Sequence, residues 1–423
     1  MRWIATHSAR CYSDRTDELA VTQENIELTL ITSPAEGLPE VVVTDVALRN
    51  TIDAIRTGTG PVALDAERAS GFRYSQRAYL IQLRREGSGT HLIDPTAFDD
   101  LRVLNEALVD VDWLLHAASQ DLVCLAMAGL VPQRELFDTE LAGRLLGLPR
   151  VALGTLTESI LGISLAKEHS AADWSTRPLP ESWLTYAALD VEFLLPLWTA
   201  MEQMLIDAGK REIAAQEFAH VRDHTAHVER QDPWRRTSGL HKVHKPRDLA
   251  IVREVWVERD HVASHMDVAT GRLLPDAAIV AIALTGATTK DDINALPEVK
   301  NRSARRYTHL WSDAIARAHA LPVEQLPEAR MKASGPPQPK SWAQRNPAAF
   351  ARLEAIKTSL SVVAEEQNIP VEHLMTPDVV RRVLWDHPQT PEALSELLDV
   401  HHVRQWQRDL VVPYLIEQLN TEY

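Results

Sequence analysis

The sequence predicts an α/β domain with a mixed sheet, followed by two small all-α domains. Three observations carry that prediction. From about residue 40 to about residue 205, short β-rich runs alternate with helical stretches; after Gly209 the strand signal nearly disappears; and segments 246–295 and 345–420 share one amphipathic, turn-punctuated helical style. A chain of 423 residues is also too long for one ordinary core, so several domains are expected.

Taken in order, "PVALDAER" (61–68), "AYLIQLRRE" (78–86), "GTHLIDP" (89–95) and "VDWLLHA" (111–117) read as strands. Gly-Ser-Gly at 87–89 joins the middle two as a hairpin. Helices follow in "SQDLVCLAMAGL", "DTELAGRLLGL" and "LTESILG", and a single long one in "ESWLTYAALDVEFLLPLWTAMEQMLIDAG" (181–209). The Pro, Gly and Ser content of "PEARMKASGPPQPKSW" marks a linker. The expected segments are 1–35, an extension without a usable motif; 36–212, the α/β domain; 213–322, a connector and first helical domain; 323–344, the linker; and 345–423, the second helical domain.

Composition narrows the class. The 45% hydrophobic and 24% charged content is that of a soluble globular protein. No window reaches the ~18 apolar residues of a membrane span, and the N-terminus lacks a signal-like apolar core, so a cytoplasmic protein without membrane contact is expected. The two cysteines, Cys11 and Cys124, have neither disulfide-framework nor zinc-ligand spacing and read as inert thiols. A net charge of −15 argues against a surface that coats nucleic acid everywhere; it leaves room for local positive stretches. Two exist, "RRTSGLHKVHKPR" (235–247) and "KNRSARRYTHLW" (300–311). A solvated face explains each as well as a binding surface does.

The chemistry concentrates in carboxylates. In "VALDAER" Asp65 and Glu67 are one residue apart on a strand, so they share a face and repel unless a cation lies between them. In "YAALD" Tyr186 and Asp190 are four apart on a helix, hence stacked on one face within an apolar segment that makes an unpartnered carboxylate costly. Asp121 follows the strand "WLLHA" at the first turn of the next helix. Each feature alone has a bland explanation. Together, four carboxylates from two strands and two helices suit hard divalent cations with oxygen ligands, magnesium or manganese, and a pair of such cations suits phosphoryl displacement.

This set resembles the DEDD exonucleases. The residue four before the last acid is Tyr186, as in their tyrosine subtype, and position 185, where the histidine subtype carries histidine, is Thr185. The segments "YLIQL", "LIDP", "HAASQDL", "LFDTELAGRLLG", "DWSTRPL" and "YAALDVEFLLPLW" further resemble the ribonuclease D family, and the tail resembles its tandem HRDC domains. The resemblance implies a ribonuclease H-like exonuclease fold in the first domain. It implies a 3′→5′ exoribonuclease, a monomer, that uses two divalent ions, Mg2+ or Mn2+, to trim single-stranded 3′ ends of structured RNAs such as tRNA precursors, releasing nucleoside 5′-monophosphates. By the same resemblance Asp65, Glu67 and Asp190 ligate the metal that holds the nucleophilic water, Asp65 bridges to the second metal, Asp121 supports that one through waters, and Tyr186 orients the water or helps deprotonate it. One departure is Arg68, where many members of the family carry phenylalanine after the acid pair; it puts the packing around the 3′-terminal nucleotide in doubt.

Two other functions compete: the same chemistry on DNA, and a nucleic-acid-binding scaffold with a vestigial fold. Nothing in the five motif residues separates RNA from DNA; the presence of all four acids and the tyrosine counts against the scaffold. For the nucleic acid itself the candidates are Arg235, Arg236, Lys242 and Lys245 in the connector, and Arg302, Arg305, Arg306 and Tyr307 after the first helical repeat. Trp174 reads as core and Arg177 as the partner of a carboxylate, His116 as a satisfied core histidine, and Gln82 is ambiguous.

Overall fold

The computed structural model describes residues 28–165, 171–225, 231–329 and 335–423. Its first part runs β1 (Thr29–Ile31), β2 (Val41–Val42), α1 (Asp45–Thr57), β3 (Thr59–Arg68), β4 (Ala78–Glu86), β5 (Gly89–Ile93), α2 (Arg102–Ala107), β6 (Trp113–Leu115), α3 (Leu122–Met127), β7 (Leu136–Asp138), α4 (Thr139–Leu145), α5 (Leu153–Leu156), β8 (Ile163–Leu165), α6 (Glu181–Glu192), α7 (Leu194–Asp207) and α8 (Arg211–His224). Six strands form a mixed sheet in the order β2-β5-β4-β3-β6-β7. β3, β4 and β5 are antiparallel neighbours, while β2 joins β5, and β6 joins β3 and β7, in parallel.

The central strand β3 is apolar on both faces, as a strand covered on both sides must be. Val62, Leu64 and Ala66 enter the core that contains Leu48 and Ile52 of α1, Leu104 of α2 and Leu122 of α3. Ala63 enters the opposite core with Leu194, Leu197 and Met201 of α7. Alternation therefore sends Asp65 and Glu67 to the Ala63 side, toward α6 and α7.

The remaining chain is helical: α9 (Pro246–Met266), α10 (Thr270–Leu273), α11 (Asp276–Thr285), α12 (Lys290–Ala295), α13 (Arg302–Arg306) and α14 (Thr308–Ala320), then α15 (Trp342–Arg345), α16 (Pro347–Gln367), α17 (Val371–Leu374), α18 (Pro377–Asp386), α19 (Pro391–Val400) and α20 (Gln405–Asn420). α9, α10 and α11 are matched one by one by α16, α17 and α18 at 21, 4 and 10 residues. Both 21-residue helices end on a left-handed residue, Asp267 and Asn368. The shared style of the two tail segments is thus a structural repeat.

The structure adds to the sequence reading at four points. The long helix over 181–209 is two helices meeting at Phe193, because the Pro196 ring clashes with the carbonyl four residues back and has no N–H to give. Within the segment expected as an extension, β1 pairs in parallel with β8. The boundary at 212 cuts the start of α8, whose Phe218 packs on Phe137 of β7 at 4.7 Å between ring centroids. Within the segment expected as a linker, Trp342 is fully buried against Trp385, 4.9 Å away. Residues 330–334 of that linker, like Lys167, His169 and Cys11, lie outside the described residues.

The two helical domains hold the α/β domain differently. The second shares a continuous apolar core with it. A buried Glu217 of α8 also accepts from Arg404 through both carboxylate oxygens (2.6 and 2.8 Å) and from the Trp406 indole (2.8 Å). The first has its own core and grips the β3–β4 loop and the start of β4: Asp267 accepts from the Ser75 amide (2.9 Å) and the Tyr79 hydroxyl (3.1 Å), Asp260 accepts from the Tyr74 hydroxyl (2.9 Å), and the Arg272 guanidinium lies 4.1 Å over the Phe72 ring. That loop begins directly after Arg68, so this domain fixes one rim of the region where the acids gather.

Candidate active site

Asp65 and Glu67 rise from β3, and α6 crosses over them. Tyr186 and Asp190, one helical turn apart on α6, meet the strand acids there. Asp65, Glu67 and Asp190 each offer a carboxylate oxygen within 4.8 Å of the others; Glu67 is only 8% exposed. Tyr186 is hydrogen-bonded to Asp190. Asp121 arrives from the other face of the sheet, where the turn Ala118–Gln120 runs into α3, and its carboxyl is hydrogen-bonded to Asp65.

A third element sets the position of Asp121. The buried Asp138 at the end of β7 caps α4, accepting from the amides of Glu140 and Leu141, and also accepts from Ala117 (3.0 Å) and Ala118 (2.9 Å). Those bonds hold Ala117 at φ +56°, a conformation uncommon for a residue with a Cβ, and so fix the turn that delivers Asp121. The pattern "LFDTE" carries the helix-cap half of this role; the other half needs the neighbouring strand and has no local signal.

All five residues line one cavity of about 700 Å³, together with Arg68 and His116. The electrostatics are those of acids gathered out of water. Burial, then the negative charges of Asp65, Asp190 and Asp121, pushes Glu67 up to about 10. Burial first and neighbouring carboxylates second raise Asp121 and Asp190 well above the usual carboxylate range, and burial raises Asp65. Without a cation the cluster therefore holds protons at neutral pH. Burial and the charges of Asp190 and Glu67 raise the Tyr186 phenol too, so it stays a neutral donor. His116 is pushed down to about 4 by burial, with its Nδ1 2.9 Å from the Thr139 hydroxyl; it is a satisfied neutral histidine at the cavity wall. Trp174 is fully buried, and Arg177 binds Asp94 at 2.6 Å. The Cys124 thiol is buried and pushed up to about 12.

The donor set fits a hard divalent cation: buried anionic oxygens, no sulfur among them, and too much mutual repulsion to stay charged alone. A pH dependence follows. Because the folded protein holds protons that the unfolded chain has already released above about pH 4.5, the metal-free protein loses stability as pH rises from there toward the raised pKa of Glu67. Thermal denaturation should give a metal-free Tm that falls between about pH 6 and about pH 9, and a Tm gain on adding Mg2+ that grows over the same range. A Mg2+ effect independent of pH would contradict this electrostatic description.

The nucleic-acid candidates sit elsewhere, and none of the eight lines this cavity. Arg236, Lys242, Lys245 and Arg302 are exposed. Arg235 lies 4.4 Å over Trp234 and donates to the Glu328 carbonyl; Arg305 donates to the Val299 carbonyl; Arg306 lies 5.6 Å from the Tyr307 ring, which meets Trp311 edge-on.

Comparison with known proteins agrees with this architecture. Residues 39–206 match a family model described as a 3′-5′ exonuclease, residues 248–315 one described as an HRDC domain, and residues 335–419 one described as a 3′ to 5′ exonuclease C-terminal domain. Ribonuclease D of Acidiphilium cryptum is 30% identical over 286 residues, 66% of this chain and 69% of that protein. A crystal structure of a Bifidobacterium adolescentis protein superposes with a TM-score of 0.85 at 35% identity, covering 93% of this chain and all of that one. Escherichia coli RNase D, described as an exoribonuclease involved in structured RNA processing, superposes with a TM-score of 0.68 at 25% identity over 90% of this chain and 98% of that one. The sheet, the acid cluster at the end of β3, the HRDC match and these relatives lead to one conclusion: the chain belongs to the ribonuclease D family of metal-dependent 3′→5′ exoribonucleases.

Proposed function

We propose that the enzyme trims the single-stranded 3′ ends of structured RNAs, tRNA precursors among them, one nucleoside 5′-monophosphate at a time, using Asp65, Glu67, Asp121 and Asp190 to hold two divalent ions, Mg2+ or Mn2+. The observation that carries the site is the convergence of three carboxylate oxygens within 4.8 Å of one another on a half-buried floor. The substrate class is supported by the description of E. coli RNase D as acting on structured RNA.

In this reading Asp65, Glu67 and Asp190 would hold the metal as carboxylates, the cluster giving up the protons that burial keeps on it, and Asp121 would serve beside them once its hydrogen bond to Asp65 is released. The bound ions supply Lewis acidity and charge neutralisation for in-line phosphodiester hydrolysis. Tyr186, kept neutral with its one O–H given to Asp190, offers its phenolic oxygen to accept from the attacking water and so orients it; as a phenol of raised pKa it is poorly suited to remove a proton. Asp138 and the loop held by Asp267 keep the two rims in place. Incubating the purified protein with 3′-labelled RNA and matched DNA, with and without Mg2+ or Mn2+, tests the assignment: labelled mononucleotide from RNA only when metal is present supports it, and an equal rate on DNA would overturn the RNA preference.

The basic stretches enter as a route for the strand. Arg236, Lys242, Lys245, Arg302, Arg305 and Arg306, with Arg235 and Tyr307 beside them, would meet phosphates and a base upstream of the 3′ end. Arg305→Ala combined with Arg306→Ala should raise Kd for single-stranded RNA and flatten its salt dependence by about 0.7 log–log units for each phosphate left without its cation. An identical salt slope for variant and parent would return these arginines to the role of solvated charges.

A further inference from the structure

We propose that Arg68 is a substrate-contacting residue, whose guanidinium binds a non-bridging oxygen of the scissile phosphodiester at the RNA 3′ end. The proposal rests on the assignment of the carboxylate cluster given above.

Arg68 is the last residue of β3, where the register with β4 shifts between Glu67 and Arg68. Alternation turns it away from Glu67, to the side where α3 packs. At the end of the strand that side opens on the same cavity, so Arg68 lines it together with the acids of both faces and is the only lysine or arginine to do so among the described residues. Its side chain is 29% exposed, and it approaches Asp121 to 3.9 Å, at the outer limit of an ion pair. No hydrogen bond links its side chain to another described residue. A guanidinium carries five N–H donors in a planar fork matched to phosphate oxygens, and leaving that fork unused inside a nuclease cavity calls for a ligand.

Charge points to the same partner. Arg68 is the positive group felt by Asp65, Glu67 and Asp121 alike. Once two divalent ions balance the four carboxylates, the Arg68 charge is in excess, and the entering phosphodiester supplies the one negative charge that matches it. Pre-placed cations of this kind stabilise charge that grows on phosphate oxygens during displacement. The alternative is a counter-ion that merely holds the acids together before metal arrives.

Three measurements on the full-length protein separate these roles. Arg68→Met should lower kcat/KM on single-stranded RNA about 10- to 100-fold, the scale of removing a charge-assisted hydrogen bond, while Mn2+ binding by calorimetry stays as tight as in the parent or tightens. Arg68→Lys should recover part of the loss. With Ca2+ in place of Mg2+, an RNA carrying an uncharged methylphosphonate at its last linkage should bind parent and Arg68→Met equally, whereas the natural linkage distinguishes them. Parent-like kcat/KM in Arg68→Met, weakened Mn2+ binding, or an unchanged gap in affinity on the methylphosphonate would each overturn the proposal. Asp65→Asn is run alongside: activity in that variant would refute the site itself, a failure distinct from that of Arg68.

Discussion

Asp65→Asn, and equally Asp190→Asn, should leave a folded protein that does not hydrolyse RNA. The loss should exceed the roughly 10²- to 10³-fold that removing one electrostatic stabiliser costs in other enzymes, because each substitution takes an anionic ligand from a three-carboxylate floor whose donor atoms lie within 4.8 Å. The fold should survive. Burial raises both acids, which means that their charge opposes the metal-free folded state, and a neutral amide of the same shape relieves that opposition. Purified variants should therefore show a metal-free Tm at or above that of the parent near neutral pH. Substantial nuclease activity in either one would remove Asp65 or Asp190 from the site.

Tyr186→Phe is the second large effect. The ring packs beside Trp174, 6.5 Å between centroids, and the substitution keeps that packing while removing only the hydroxyl bonded to Asp190. Single-turnover rates at saturating Mg2+ should fall by about 10²-fold, the usual scale for a positioned acid–base or orienting group, with RNA affinity and Tm little changed. Unchanged turnover would make the tyrosine a packing residue.

These predictions lean on features that were legible in the sequence because they obey short periods. Asp65 and Glu67 share a face by strand alternation, Tyr186 and Asp190 by the helical turn, and the hairpin of β4 and β5 follows from its Gly-Ser-Gly turn. What local pattern could not reveal is long-range. The pairing of the three-residue β1 with β8 joins segments with no shared periodicity. Trp342 reads as linker because its neighbours are proline and serine, and only its partner Trp385, across the helical bundle, makes it core. The break at Phe193 had a local sign in Pro196, outweighed by the long apolar run around it. At the site, the carboxylates announced themselves by type and spacing, whereas Asp138 and Asp267 work through backbone amides and hydroxyls of other elements. Such bonds depend on the fold already being assembled, and the sequence around them reads as an ordinary helix cap and helix end.

That division also explains why the two helical domains matter to the chemistry without lining its floor. The second extends the apolar core beneath α7, and the first ties down the loop after Arg68 through Asp267 and Asp260. The first thus fixes the rim beside Arg68, and the second supports the layer beneath the site.

The most direct test of the account is a calorimetric titration of Mn2+ into the metal-free protein and its Asp65→Asn variant, in buffers of different ionisation enthalpy. The raised carboxylates predict saturable binding to the parent, with protons released as the cation displaces them and affinity rising with pH, and weak or absent binding to the variant. Equal Mn2+ binding by both proteins, or binding without proton release, would contradict it.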